Sequence, residues 1–139
     1  MKLNDVARFL EKNLIKNGII VHRYDAHSTN SIYLKLDWGA LNSIRISDHN
    51  GKKHLSYKYN VIKDTQVGNW KKEGKFWRYY CSTSENSLYE LVDIIMKDKQ
   101  YKKCFNDYDK LVKSFKDDKD NQVGFWERAW EVNDDTIRN

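Results

Sequence analysis

Proline is missing altogether from this chain of 139 residues, and cysteine and glycine are scarce, at two and six. The missing proline, beside an abundance of Lys, Asn, Asp and Ile, has the mark of coding by an AT-rich genome. Cys81 and Cys104 are too few for a disulfide framework and lack the spacing of a redox or zinc pair, which points to a reducing compartment. No histidine can be assigned as a partner to either, so both read as buried, inert thiols rather than nucleophiles. No stretch approaches the roughly 20 apolar residues of a membrane span. The N-terminal MKLNDVARFLEKNL carries Asp5 and Glu11 inside its apolar periodicity, which leaves no signal-peptide core there. A soluble, cytoplasmic protein is expected. Any complete catalytic or metal signature is also missing, so no cofactor is expected and the chain reads as a non-enzyme.

What is present describes one packed domain, residues 1–139. Apolar residues make up 40% and charged residues 32%, with five Trp, nine Tyr and five Phe, a composition that folds rather than staying disordered. A chain of this length buries roughly two-thirds of its unfolded surface in a single core. No internal repeat or low-complexity segment interrupts it.

The stretch Ser31 to Val61 alternates with a period of two. Ile32, Leu34 and Leu36 alternate with Tyr33, Lys35 and Asp37; Ile44 and Ile46 with Arg45 and Ser47; Leu55, Tyr57, Tyr59 and Val61 with Ser56, Lys58 and Asn60. Three strands follow, joined loosely by Trp38-Gly39-Ala40 and tightly by Asp48-His49-Asn50-Gly51. The second link contains Asn-Gly, the pair best suited to positive φ in a type I′ hairpin turn. Ile19–Ala26 and Phe76–Ser82 add further strands, and 63–75 reads as a polar excursion between strands. HSTNS, residues 27–31, lacks the glycines of a phosphate loop and reads as an Asx or Ser/Thr turn.

Helical spacing frames the sheet. Val6, Phe9, Leu10 and Leu14 predict a helix over 4–17, capped by Asn4 and stopped by Asn17-Gly18. Leu88, Leu91, Val92, Ile95 and Met96 predict a second, capped by Ser84 or Ser87. Tyr101, Cys104, Phe105, Tyr108, Leu111, Val112 and Phe115 continue at spacings of three and four, with the aromatic members read as core packing. GFWERAWEV predicts a short terminal helix returning to the core. The expected fold is α+β: an N-terminal helix, an antiparallel sheet of four or five strands, and C-terminal helices packed on one face.

Net charge is +5, unevenly placed: residues 1–80 hold 15 Lys and Arg against 7 Asp and Glu, residues 81–139 hold 10 against 13. The basic surplus belongs to the sheet half, where it attracts polyanions or acidic protein surfaces. The polar face of the sheet gathers Tyr33, Lys35, Arg45, Ser47, Lys58 and Asn60, joined from the last strand by either Trp77 and Tyr79 or Arg78 and Tyr80. Cations interleaved with rings match nucleic acid, because Lys and Arg neutralise phosphate while aromatics stack on unpaired bases. An ordinary wet sheet face produces the same alternation and is the commoner outcome. Asp48 and His49, at the end of the compact polar cluster Ile44 to His49, most resemble a site, with His27, Asp25 or His54 as further ligands or as acid and base. Turn chemistry accounts for Asp48 through Gly51 without further partners, so a metal-dependent nuclease or phosphoesterase there is the lesser reading.

The pattern S-x-Y-x-x-x-D-x-G-x-x-x-S-I-R-I-S-D-H, formed by Ser31, Tyr33, Asp37, Gly39 and Ser43 to His49, resembles a motif of small uncharacterised proteins encoded by phages and mobile elements of low-GC bacteria. The likeness covers the central third of the chain and carries no activity or residue roles with it. What it implies is a setting in which small single-domain proteins bind and inhibit a host machine, CRISPR and other defence systems included. The combined expectation is a nonenzymatic binding protein acting on nucleic acid or a host nucleoprotein. The alternative is capture of a nucleotide signal by Arg45, Lys35, Lys58 and the HSTNS turn.

Overall fold

Helix α1, Leu3–Lys16, turns Val6, Ala7, Leu10 and Leu14 into the core along one stripe. It ends where Asn17 caps it and Gly18 takes φ +82, a left-handed value that glycine adopts without a Cβ penalty. The expected cap at Asn4 is a correction. The helix begins one residue earlier, after Lys2, and Asn4 lies inside it, where its Oδ1 accepts from Arg23 Nη2 at 2.7 Å. The computed structural model describes residues 2–26, 30–49, 52–59, 70–74 and 76–133, without the side chains of His49, Lys52, Lys53, His54 and Tyr59.

Among the described residues seven strands form one antiparallel sheet, β1 Val21–Ala26, β2 Ser31–Leu36, β3 Ser43–His49, β4 Lys52–Tyr59, β5 Trp70–Glu73, β6 Phe76–Cys81 and β7 Trp130–Glu131, in the order β5-β6-β4-β3-β2-β1-β7. The sequence predicted four or five. The two extra strands are the outer edges: β5 lies within the stretch read as a polar excursion, and β7 is two residues long. Edge strands contact a neighbour on one side only, so neither needs a strong alternating pattern. Lys71 and Lys72 on β5 also discourage further strand addition.

The registers Ile32↔Ile46, Leu34↔Ile44, Ile46↔Leu55, Ile44↔Tyr57 and Tyr57↔Tyr79 place one apolar set on one face. Helix α1 covers that face together with α2, Glu85–Phe105, through Leu88, Leu91, Val92 and Ile95. Arg23 also points to this side and is nearly buried, which its partners make tolerable: Nη1 meets Glu11 Oε1 at 3.0 Å and Nε meets Asp25 Oδ1 at 2.8 Å. Burial outweighs that pairing at Glu11 and pushes its carboxyl above the usual range.

The C-terminal helices depart from the predicted arrangement. The apolar repeat from Tyr101 to Phe115 is broken: α2 ends at Phe105, and α3, Tyr108–Asp117, starts afresh with the Asp107 carboxylate accepting from Lys110 N. Only the later half of the aromatic stripe packs, with Tyr108 buried and Phe115 against the core. Tyr101 and Phe105 are exposed and stack on each other at 4.9 Å. Cys104, expected to be buried, is exposed, whereas Cys81 is half-buried and burial pushes its thiol up to about 12.

Helix α3 packs against the 3-10 turn Asp37–Gly39 between β2 and β3. Past it, two 3-10 turns, Lys119–Gln122 and Gly124–Arg128, replace the expected terminal helix and lie over the other face of the sheet before β7 pairs with β1. The fold is thus α+β as predicted, with α1 and α2 on one face and the 119–128 segment strapped across part of the other. Among the described residues no helix is long and apolar enough to cross a membrane.

Candidate functional site

The second face is built by the residues that alternate with the core. Pairing aligns Tyr24, Tyr33, Arg45, Ser56 and Tyr80 in one row across β1, β2, β3, β4 and β6. The adjacent row runs His22, Lys35, Ser43, Lys58, Arg78 and Lys71, ending on β5. These registers decide the phase left open for β6: Arg78 and Tyr80 join the polar face. Trp77 does not, because it stands on the core side at 8% exposure, opposite Tyr59. Asn60 lies outside the described residues.

The strap divides this face in two. Over β1 and β2, Phe125 stacks on Tyr24 at 4.8 Å and on Tyr33 at 5.0 Å, with Trp126 beside it at 4.7 Å. Lys35 is sealed beneath at 5% exposure, its Nζ donating to Asn121 O at 2.5 Å and lying 4.7 Å from the Trp126 ring centroid. Desolvation lowers its pKa to about 8. Ser47 is buried as well and accepts from the Ser31 hydroxyl. Lys35 and Ser47 therefore support the scaffold and do not form an accessible surface.

Over β3, β4, β6 and β5 the strap gives way to cations. Arg45 is half-buried, 5.8 Å from the Tyr33 ring, and its Nε makes no hydrogen bond among the described residues. Lys58 Nζ sits 3.8 Å from the Phe76 ring centroid; burial and then the Arg78 charge lower its pKa. Lys71 lies 5.7 Å from the Tyr80 ring. Glu73 is the carboxylate of the group. It accepts from Arg78 Nε at 2.7 Å and from the Tyr80 hydroxyl at 2.6 Å, while Arg78 Nη1 donates to Ser56 Oγ. Among the described residues of this part four cations thus stand against one carboxylate, and a cation held beside another cation favours an incoming anion.

The sequence reading missed Phe76, Lys71, Phe125 and Trp126 as members of this surface. The last two carried a usable signal: adjacent large rings point in different directions on any helical turn, so both cannot face one core.

The acid–imidazole grouping does not assemble into a described site. Asp48 and His49 belong to β3, paired with Lys53 and Lys52, so these two are strand rather than the turn residues expected; Asn50 and Gly51 lie outside the described residues. Residues 27–29 lie outside the described set, and among the described residues no group of three His, Cys, Asp or Glu could hold a metal ion.

Two residues of the 31–49 pattern, Asp37 and Gly39, serve structure. The link read as loose is a tight reversal with Asp37, Trp38 and Asn42 at φ 48, 61 and 57 and Gly39 at φ 106. Asp37 Oδ1 accepts from Ile20 N at 2.8 Å. Its Oδ2 accepts from the Tyr108 hydroxyl at 2.7 Å and faces Lys99 Nζ at 3.2 Å. Burial, reinforced by the carboxylate, pushes the Tyr108 phenol far up. This buried carboxylate ties Ile20, just before β1, and helices α2 and α3 to the turn whose backbone is left-handed.

Comparison with known proteins adds no relative: no family model matches the chain, no curated protein matches it in sequence, and no solved structure matches it in fold.

Proposed function

We propose that this is a nonenzymatic binding protein whose basic sheet face, Arg45, Lys58, Arg78 and Lys71 with Tyr33, Phe76 and Tyr80, meets nucleic acid, free or within a host nucleoprotein. The observation that carries the reading is the register: cations distributed over four separate strands fall into two adjacent rows on one face, and among the described residues of β3 to β6 on that face the carboxylate beside them is Glu73. The phage-type motif of residues 31–49 adds the biological consequence to be tested, inhibition of a host defence machine by occupying its nucleic-acid path.

Neutralising three phosphates on a single strand gives a slope of about −2 in log K against log salt. Raising salt from 50 to 200 mM is then expected to weaken binding about 20-fold, measured by fluorescence anisotropy with labelled DNA and RNA. The paired change Lys58→Gln and Arg78→Gln is expected to flatten that slope. Salt-independent association, or none with any nucleic acid, sinks the reading.

Capture of a nucleotide signal is the weaker alternative, since Lys35 is committed to Asn121 and does not converge with Arg45 and Lys58. The nuclease alternative has no described cluster to rest on.

A further inference from the structure

We infer that the nucleic acid is single-stranded and crosses the strands from the ring shelf of Phe125 over β1 and β2 to Tyr80 on β6, a deepening that rests on the reading above. Three features of the face carry it.

The first is breadth. Six strand spacings of about 4.8 Å make the sheet about 29 Å wide, far broader than the roughly 12 Å major groove that a helix or a two-stranded ribbon enters. The four cations of the open part, Arg45, Lys58, Arg78 and Lys71, sit on the strands themselves. A duplex touches such a face along its backbone only, whereas an unpaired strand can lie down on it.

The second is the pairing of rings with cations. Phe125 is 39% exposed and packs on Tyr24 and Tyr33, with Trp126 beside it. Tyr80 is fixed by its bond to Glu73 at the other end. Rigid rings stack on every base without reading its identity.

The third is the order along the path. From the shelf above Tyr33 to Tyr80 the same row passes Arg45 and Ser56, with Lys58 and Arg78 one row over. Phosphates crossing here meet a cation on each strand. Arg45 is suited to the role because its guanidinium lies 5.8 Å from the Tyr33 ring, where the shelf meets the open part of the face. Lys58 and Lys71, parked over Phe76 and Tyr80, can move from ring to phosphate without breaking a described ion pair.

The test compares one labelled sequence as single-stranded DNA, single-stranded RNA and duplex DNA, with the intact protein and the variants Phe125→Leu, Tyr80→Leu and Arg45→Gln. Leucine keeps apolar cover over Tyr24 and Tyr33, and thermal unfolding of each variant checks that the fold survives. Single strands are expected to bind at least about 10-fold tighter than the duplex. Each ring variant is expected to lose about 5-fold or more on single strands, the lower end for one stacked base. Duplex bound as tightly as single strands, with loss in Arg45→Gln, overturns the inference and leaves the nucleic-acid reading standing. A single-strand preference indifferent to both ring variants also overturns it. Absence of salt-sensitive binding to all three probes overturns the inference and the reading together.

Discussion

Lys35 carries an ammonium into a site nearly closed to water, between the sheet and the strap. Its pKa is lowered from 10.5 to about 8, which fixes the direction of a pH effect. Between those values the unfolded chain binds more protons than the folded one, so this group makes stability rise with pH. Below about pH 8 the cost is fully present, up to about 3 kcal/mol, and it fades by pH 10.5. Lys35→Met removes the titration and, apart from a constant offset for the lost Asn121 bond, is expected to gain on the wild type at pH 7 and to lose that advantage by pH 10. Urea denaturation of both proteins across this range checks it, and a difference that stays flat refutes it.

Asp37 is a second decisive residue, since three donors converge on one buried carboxylate. Asp37→Ala leaves the Ile20 amide, the Tyr108 hydroxyl and the Lys99 ammonium without it and is expected to cost about 3 kcal/mol, against about 1 to 2 kcal/mol for Tyr108→Phe. The double variant should fall short of the sum, because the two changes delete a shared bond. Strict additivity in equilibrium unfolding would show that the bond does not contribute.

Among the elements, the strap of residues 119–128 has the largest effect on the surface, because it determines which part of the polar face is open. Its seat is Asn121, whose Nδ2 donates to Trp38 O at 2.6 Å and to Phe115 O at 3.3 Å, while its backbone carbonyl takes Lys35. Gly39 lies directly beneath: a Cβ there would meet Asn121 Nδ2 at 3.2 Å, on a backbone already at φ +106. Gly39→Ala is expected to destabilise by about 2 kcal/mol through backbone strain and to loosen the strap. Amide exchange should then speed up at residues 119–128 as well as at 37–42; faster exchange at 37–42 alone would mean that the strap is held independently.

At the scale of the molecule, the placement of charge counts for more than the net value of +5. Glu90 and Asp93 are exposed on α2, which covers the opposite face. The sheet stands between them and the cations, and charges farther apart than about 8 Å are largely screened at physiological salt. Replacing them together by Gln and Asn raises the net charge by two, yet nucleic-acid affinity at 150 mM salt is expected to change less than about 3-fold. Losing two charges on the sheet face through Lys58→Gln and Arg78→Gln should cost more than about 10-fold. Equal and opposite effects from the two pairs would show that total charge alone governs binding.

Local pattern was enough to determine much of this protein. Period-two runs gave β2, β3 and β4, helical stripes gave α1 and α2, and Asn17-Gly18 marked the first helix stop, because each signal lies within neighbouring residues. The membership of Arg45 and Lys58 in one polar face followed from the same alternation. Tertiary structure decided the rest. FWRYYC is amphipathic in neither phase, so only the pairing of Tyr79 with Tyr57 could send Trp77 inward and Arg78 outward. The apolar repeat through Tyr101 and Phe105 obeyed helical spacing yet met no surface to bury it, and the chain turned at Asn106 and Asp107. Lys35 looked like an exposed cation until residues 86 positions away closed over it. Spacing along a chain states which side chains share a face; which face is covered, and by what, depends on contacts between segments far apart in sequence.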